Sequence, residues 1–203
     1  MPDVKLVSGV TVDVPTHTAD LDAHTYNAIQ KFMTGEYYCF PASHYANITM
    51  VADRLYASPL IIVRDMTVDR IAIQVSTAGA AGTKARLGIY NDGTNLYPGT
   101  LLLDAGEVAV DAVAIVNITI SKALTKGIYW MAIVTNGTPD VMGDDAYDQS
   151  IPIMGLSSTN FGVNNDYWYV AHTYAALPNP YTAAGSKYNS GKVRVALRVL
   201  SLD

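Results

Sequence analysis

The chain has 203 residues, of which 50% are hydrophobic and 15% charged, and its formal net charge is −5 at pH 7. This length can bury one large core without a metal or a disulfide, and the negative balance argues against a nucleic-acid binder, which needs clustered Lys and Arg. The charged fraction is below the usual ~25%. We therefore expect part of the surface to be covered by copies of the chain or by a partner.

Cys39 is the single cysteine, so no internal disulfide can form. The first residues lack the basic and then apolar pattern of a signal segment, and no run reaches the ~18 apolar residues that span a bilayer. We expect the chain to fold in a cytosol, with no membrane insertion.

Residues 1–45 are predicted to be a docking or oligomerisation region that opens with an extended arm. The arm covers residues 1–15, between Pro2 and Pro15. A valine-rich arm of this kind suits a strand added to a neighbour's sheet. The apolar positions that would dock it are Val4, Leu6, Val10, Val12 and Val14.

A short helix and an aromatic strand complete this first region. The helix is predicted over residues 18–32, with Thr18 or Asp20 as its cap and Gly35 as its stop. The strand is predicted over residues 36–40.

Residues 46–203 are predicted to form an antiparallel, jelly-roll-like β-sandwich, which makes the chain all-β. Apolar residues alternate with polar ones, the period of half-buried strands. The run 128–134 has no polar member, which indicates a central strand covered on both faces. One-sided strands must hide their apolar faces on a second sheet. The predicted strands are 47–51, 60–63, 68–76, 85–90, 101–104, 107–110, 114–121, 128–134 and a final one through Val193, Val195, Leu197 and Val199.

Residues 140–181 are rich in Asn, Asp, Gly, Pro and Tyr, and we interpret them as long loops around one or two strands. Their aromatic side chains suit a protein interface, or the apolar faces of sugar rings with amides at the hydroxyls; packing within the loops is the third interpretation. The candidate contact residues are Tyr147, Tyr167, Trp168, Tyr169, Tyr174 and Tyr181.

Two acidic clusters are candidate metal sites. Asp20, Asp22 and His24 lack further ligands nearby. The 140–148 loop carries four aspartates, but their spacing departs from the calcium-hand pattern, and calcium binding there stays open. We predict no metal and no cofactor.

Catalytic motifs are missing from the sequence. It contains no Gly-x-Ser-x-Gly elbow and no His-Glu-x-x-His, and Glu36 and Glu107 are its two glutamates. We predict that the protein is not an enzyme.

A set of short motifs lies within residues 54–136. The motifs are RLYASPL (54–60), MTVDRI (66–71), ARLGIY (85–90), YPG (97–99), LDAG (103–106) and GIYW (127–130). As a set they resemble a sandwich module that recurs in structural proteins of tailed-bacteriophage virions, in fibres, tail appendages and capsid-surface proteins. Residues 16–22 are similar to linkers that precede such modules in phage fibres. The resemblance implies homo-oligomers, commonly trimers, and no chemistry.

Two functions follow as expectations. The first is a non-enzymatic structural component of a tailed-phage virion, either a tail or fibre component or a capsid decoration. It would assemble in the host bacterial cytoplasm with copies of itself and other virion proteins. The alternative is a carbohydrate-binding adhesion module that recognises a glycan on the host surface.

Overall fold

In the computed structural model, the described residues are 31–40, 45–144, 153–156, 167–188 and 191–203. Within them the chain forms thirteen strands in two antiparallel sheets and no helix, and residues 32–203 make one compact unit. The predicted all-β antiparallel fold is confirmed. The arm and most of the predicted helix lie outside the described residues, and Lys31 and Phe32, at its predicted end, are not helical.

The strand bounds extend most of the predicted ones by a few residues. The strands are β1 (Tyr37–Tyr38), β2 (Ala46–Thr49), β3 (Arg54–Ile62), β4 (Met66–Thr77), β5 (Lys84–Asp92), β6 (Pro98–Ala109), β7 (Ala114–Leu124), β8 (Gly127–Thr135), β9 (Asp140–Asp144), β10 (Tyr167–Ala171), β11 (Ser186–Tyr188), β12 (Lys192–Val193) and β13 (Ala196–Leu202). No described helix is long and apolar enough to cross a membrane.

The six-stranded sheet has the order β11-β10-β3-β8-β5-β6. In the seven-stranded sheet, β4 pairs with β7 along one edge and with β13 and then β9 along the other. β1 extends the sheet beyond β13, and β2 and β12 pair with β9. Several connections, such as β3–β4, β4–β5 and β7–β8, cross between the sheets, so the two layers fold together.

The core between the sheets contains the apolar residues that alternation predicted. Ile71, Ile73 and Val75 of β4 are at most 1% exposed, and they pack in one cluster with Leu87 and Ile133 of the other sheet. Two packed inner faces make the fold a β-sandwich.

A bulge in β4 shifts the alternation. The pairing of β4 with β7 changes register between Val68 and Arg70. The extra residue lets Val68 and Ile71 both reach the core although three positions separate them. It also places Asp69 beside Arg198 of β13, whose Nε donates to the Asp69 carboxylate at 2.8 Å.

Two predicted boundaries were wrong. Residues 101–104 and 107–109 belong to one strand, β6, because register shifts let its pairing with β5 continue through the predicted break. The single final strand is two strands: β12 pairs with β9, whereas β13 pairs with β1 and β4.

A second core lies on the outer face of the six-stranded sheet. Trp130, Ala132 and Val134 of β8 are fully buried there, although their neighbours Met131 and Ile133 face the inner core. The prediction of a central strand covered on both faces is therefore confirmed. The outer cover comes from residues 172–185, called here the outer segment, with Leu177 and Tyr181 as its most buried side chains.

Hydrogen bonds attach the outer segment to the sheet. The Tyr181 hydroxyl donates to the carbonyl of Leu55 at 2.9 Å, and the Tyr90 hydroxyl donates to the carbonyl of Pro178 at 2.8 Å. The sheet also makes room for the segment at Gly88, where a Cβ would lie 2.2 Å from the Leu177 side chain.

Candidate functional site

The structure divides the predicted aromatic residues between the two faces of β10. Trp168 packs with the outer core, whereas Tyr167 and Tyr169 pack with the inner one, as the alternation of a strand requires. Tyr174 and Tyr181 belong to the outer segment and pack with the outer core. Tyr147 lies outside the described residues.

On the outer face, the rings of Trp168 and Tyr181 pack against other residues of the chain. The Trp168 indole donates to the Leu96 carbonyl at 2.7 Å and meets the Tyr97 ring edge-on, with 4.8 Å between ring centres. Tyr181 is 3% exposed and contacts Tyr90 and Tyr97 edge-on, and burial raises its pKa. These rings hold the outer segment on the sheet and offer little face to a ligand.

Tyr174 is half-buried at the start of the outer segment. Burial and then the nearby Glu107 charge raise the pKa of its hydroxyl to about 12. Its backbone N–H donates to the Asp53 carboxylate at 2.7 Å. Although Tyr174 follows Tyr169 closely in sequence, it packs with the outer core whereas Tyr167 and Tyr169 pack with the inner one, so the predicted set is not one surface.

On the inner side of β10, aromatic rings gather at the end of the sandwich. Tyr167 is 2% exposed and lies between Tyr56 and Tyr188, with 5.6 and 5.4 Å between ring centres. Tyr188 also meets Tyr169 edge-on at 5.6 Å, and it is itself 36% exposed.

These rings line a cleft of about 210 Å³, called here the Arg54 cleft. One wall is the edge strand β2 of the seven-stranded sheet, and the other comes from β3, β10 and β11 of the six-stranded sheet. Its lining residues are Asn47, Ile48, Thr49, Val51, Arg54, Tyr56, Tyr167 and Tyr188.

Strand periodicity places the polar groups at the cleft. Asn47 and Thr49 are two apart on β2 and exposed, while Ile48 between them packs against the inner core. Arg54 and Tyr56 are likewise two apart on β3. The cleft therefore offers an amide, hydroxyls and a guanidinium next to aromatic rings.

Tyr56 is held in place at the base of the cleft. Its hydroxyl accepts a hydrogen bond from the Val51 N–H at 3.2 Å. Burial raises the pKa of this hydroxyl, although that hydrogen bond and the Arg54 charge act in the opposite direction. The group stays a neutral phenol near neutral pH, able to donate as well as accept.

A second cavity, of about 270 Å³, lies against the outer face of the seven-stranded sheet. Tyr37, Cys39, Gln74, Ile115 and Arg194 contribute to its lining. Burial raises the pKa of the Cys39 thiol to about 11, so little reactive thiolate forms at neutral pH. We therefore interpret this cavity as an apolar depression rather than a reactive site.

The described residues contain no group of three or more metal-ligating side chains. Asp140 accepts a hydrogen bond from Thr49 at 2.6 Å, and Asp144 is fully buried in an ion pair with Arg194. Both are residues of β9 rather than of a loop, because Asp140 pairs with Thr49 of β2 and Asp144 pairs with Lys192 of β12. The other aspartates of the 140–148 region lie outside the described residues, as do Asp20, Asp22 and His24.

Of the cleft residues, Tyr167 is a predicted contact residue, and the others were not predicted as a site. Arg54 and Tyr56 belong to the RLYASPL motif, and Asn47 and Thr49 belong to the predicted strand 47–51. The available signal was that each of these pairs is separated by two positions, as residues on one face of a strand are. The position of Tyr188 in the sequence gave no indication that it would lie beside them.

No family model and no curated protein matches the chain. A carbohydrate-binding module from Cellvibrio mixtus lichenase 5A, solved in complex with cellotriose, is similar over 54% of this chain and 95% of the module, with 13% identity and a TM-score of 0.28. A TM-score this low carries no argument about function.

Proposed function

We propose that this protein is a non-catalytic carbohydrate-binding adhesion module, a jelly-roll-like sandwich that holds a saccharide of a host surface in the Arg54 cleft. The observation that carries the proposal is the composition of the cleft, in which an exposed ring, an amide, hydroxyls and a guanidinium converge.

The chemistry of sugars fits these groups. A pyranose presents C–H groups on its faces, which pack on aromatic rings, and hydroxyls at its rim, which need both donors and acceptors. Tyr188 provides the accessible ring, the Asn47 amide provides donors and an acceptor on the facing strand, and the Thr49 hydroxyl, which donates to Asp140, provides an acceptor.

The size of the cleft limits what it can enclose. Its 210 Å³ is smaller than the about 300–1,000 Å³ of pockets that bury drug-sized ligands. We expect one or two sugar rings to be held, with the rest of the glycan outside.

The test is a glycan array followed by titration calorimetry with the best ligand, comparing Tyr188→Ala with Tyr45→Ala. Tyr45 is 76% exposed and is not part of the cleft lining, so it controls for the loss of a surface tyrosine. Tyr188→Ala should weaken binding more than about tenfold, because truncating an interface aromatic anchor costs ~2 kcal/mol or more. Tyr45→Ala should not weaken it.

Two results would contradict the proposal: no saccharide bound, or equal losses in the two variants. Trp168→Ala is the less informative variant, since its indole donates to the Leu96 carbonyl between β5 and β6 and its removal should lower the melting temperature.

A structural role in a tailed-phage virion is the second candidate function. The phage resemblance supports it, and so do exposed apolar side chains on or beside the seven-stranded sheet. Ile115 of β7 is 68% exposed and Leu200 of β13 is 54% exposed. Copies of the chain would cover such positions in a homo-oligomer, for which we propose a trimer.

Sedimentation analysis tests the second candidate directly. A homo-oligomer that Ile115→Lys dissociates, with Thr119→Lys on the same strand as the exposed polar control, would support it. A monomer at all concentrations would contradict it. Deletion of residues 1–15 should leave the sandwich folded but unable to join the particle, and normal incorporation of the truncated chain would overturn the docking role of the arm.

A further inference from the structure

Arg54 differs from the other arginines that the structure describes. Four of them form ion pairs with carboxylates, and Arg64 donates to the Asp203 carbonyl at 2.7 Å. Within the described ranges, Arg54 contacts no carboxylate, and its guanidinium carbon lies 4.5 Å from the centre of the Tyr169 ring and 6.0 Å from that of Tyr56. The ion-paired arginines are Arg70, Arg86, Arg194 and Arg198.

The guanidinium lies over the Tyr169 ring, and this contact does not satisfy its charge. A guanidinium presents N–H donors along its edge, and a carboxylate or a sulfate can accept two of them side by side. The half-buried Arg54 guanidinium has lost part of its hydration, and no carboxylate of the described residues replaces it. An anionic ligand would compensate for this lost hydration.

Arg54 supplies the positive charge of the cleft. It is the single charged residue among the eight described residues that line it. The nearest carboxylates on the strands are not among these eight and accept hydrogen bonds: Asp140 from the Thr49 hydroxyl, and Asp53 from the backbone N–H of Tyr174. The amide of Asn47 remains across the cleft for neutral hydroxyls, and the Thr49 oxygen can still accept a hydrogen bond.

We propose that the Arg54 cleft selects an acidic saccharide, whose carboxylate or sulfate group pairs with the Arg54 guanidinium while a sugar ring packs on Tyr188. This inference rests on the proposed carbohydrate-binding function and names its ligand class. It assigns Arg54 the selecting role and leaves the identity of the sugar to the array.

The first experiment needs no variant. An α-1,4-linked galacturonate tetrasaccharide is compared with its methyl ester, which has the same rings without the charge, and a sulfated oligosaccharide is compared with its desulfated form. The acidic member of at least one pair should bind at least about tenfold tighter. Its affinity should fall as the NaCl concentration is raised, while that of the uncharged member should not. The pair that shows the preference distinguishes carboxylate from sulfate.

The second experiment assigns the preference to Arg54. Arg54→Gln keeps a planar amide and removes the charge, so it should abolish the preference with little change in binding of the uncharged member. Lys187→Gln is the matched control, because it removes one positive charge from β11, where the ammonium lies 5.3 Å from the Trp168 ring outside the cleft. Arg54→Lys, which keeps the charge without the planar fork, should retain part of the preference.

The outcomes separate this inference from the proposed function. If uncharged sugars bind as tightly as their acidic counterparts, acidic selection is wrong and the carbohydrate-binding function stands. If no saccharide binds, both are wrong. A preference that persists in Arg54→Gln, or that Lys187→Gln removes equally, would overturn the role of Arg54. If Arg54→Gln fails to fold, the ester comparison and Arg54→Lys still decide.

Discussion

The two faces of the six-stranded sheet are buried in different ways. The inner face packs mostly aliphatic side chains, such as Leu87 and Ile133, against a second sheet. The outer face packs Tyr90 and Trp130 beneath the outer segment, which lacks regular structure between β10 and β11. The inner core is therefore built by periodic strands, whereas the outer core depends on individual anchors.

The anchors of the outer core combine apolar contact with a hydrogen bond. The Trp130 indole donates to the Asp92 carboxylate at 2.8 Å, and the Tyr97 hydroxyl donates to the Thr182 carbonyl at 2.6 Å. An irregular segment has no ladder to satisfy its backbone groups, so it depends on individual hydrogen bonds such as these and the one from the Tyr181 N–H to the Gly99 carbonyl. We expect the outer segment to open at a lower free energy than the sandwich does.

The largest effect should come from a charge in the inner core. Ile73→Asp should prevent folding, since an unpaired buried carboxylate costs several kcal/mol against a typical total of ~5–15 kcal/mol. Gln74→Asp is the control: Gln74 is the next residue on β4 and is exposed, so the change should be nearly silent. Circular dichroism melting measures both, and equal effects would mean that the faces of β4 are assigned wrongly.

The same kind of change in the outer core should have a smaller effect. Leu177→Asp places a carboxylate at a position that is 5% exposed, yet we expect the sandwich to remain folded with the outer segment detached. Hydrogen exchange should increase across residues 172–185 and change little at β4. Loss of all protection would show that the two cores fold as one unit.

The inner core was easier to predict from the sequence than the outer core. Alternation in β4 and β5 was sufficient to predict the inner core, and the unbroken apolar run of β8 was sufficient to predict its double coverage. The bulge at Asp69 was not predicted, because it depends on pairing with β7 and β13 rather than on the residues of β4 alone.

The outer core and the cleft were harder to predict for a physical reason. Tyr181 reaches Leu55 across most of the chain, and Tyr188 lines the same cleft as Tyr56 only because β10 and β11 add to the edge of β3. Local patterns identify aromatic residues but not the strand order that brings them together. The predicted aromatic set was therefore split between two sites.

A third change tests one anchor of the outer core by itself. Tyr181→Phe removes the hydrogen bond to the Leu55 carbonyl and keeps the ring in its contacts with Tyr90 and Tyr97. We expect a loss of about 1 kcal/mol in the free energy of unfolding, with faster exchange confined to the outer segment. Denaturant titration gives the magnitude. An unchanged midpoint would show that packing alone attaches the segment.

The smallest effect concerns an ion pair that belongs to neither core. The hydrogen bond from Arg198, opposed in part by burial and aided by the Arg198 charge, lowers the pKa of Asp69 from its ordinary value of 3.8. A carboxyl whose pKa is lowered on folding stabilises the protein above its unfolded pKa and loses this contribution as the pH falls through the folded pKa. Asp69→Asn should therefore lower the melting temperature slightly at pH 7, and the difference from wild type should shrink below about pH 4.

Arg198→Gln provides the matched test of that pair. It should lose about as much as Asp69→Asn, and the double variant should lose less than the sum, because the two side chains act through one contact. The neighbouring Arg70, whose Nη1 lies 3.6 Å from the Asp69 carboxylate, would retain a small pH dependence in Arg198→Gln. A difference between Asp69→Asn and wild type that stays constant down to the lowest pH would mean that the bulge geometry, rather than the charge, is what Asp69 contributes.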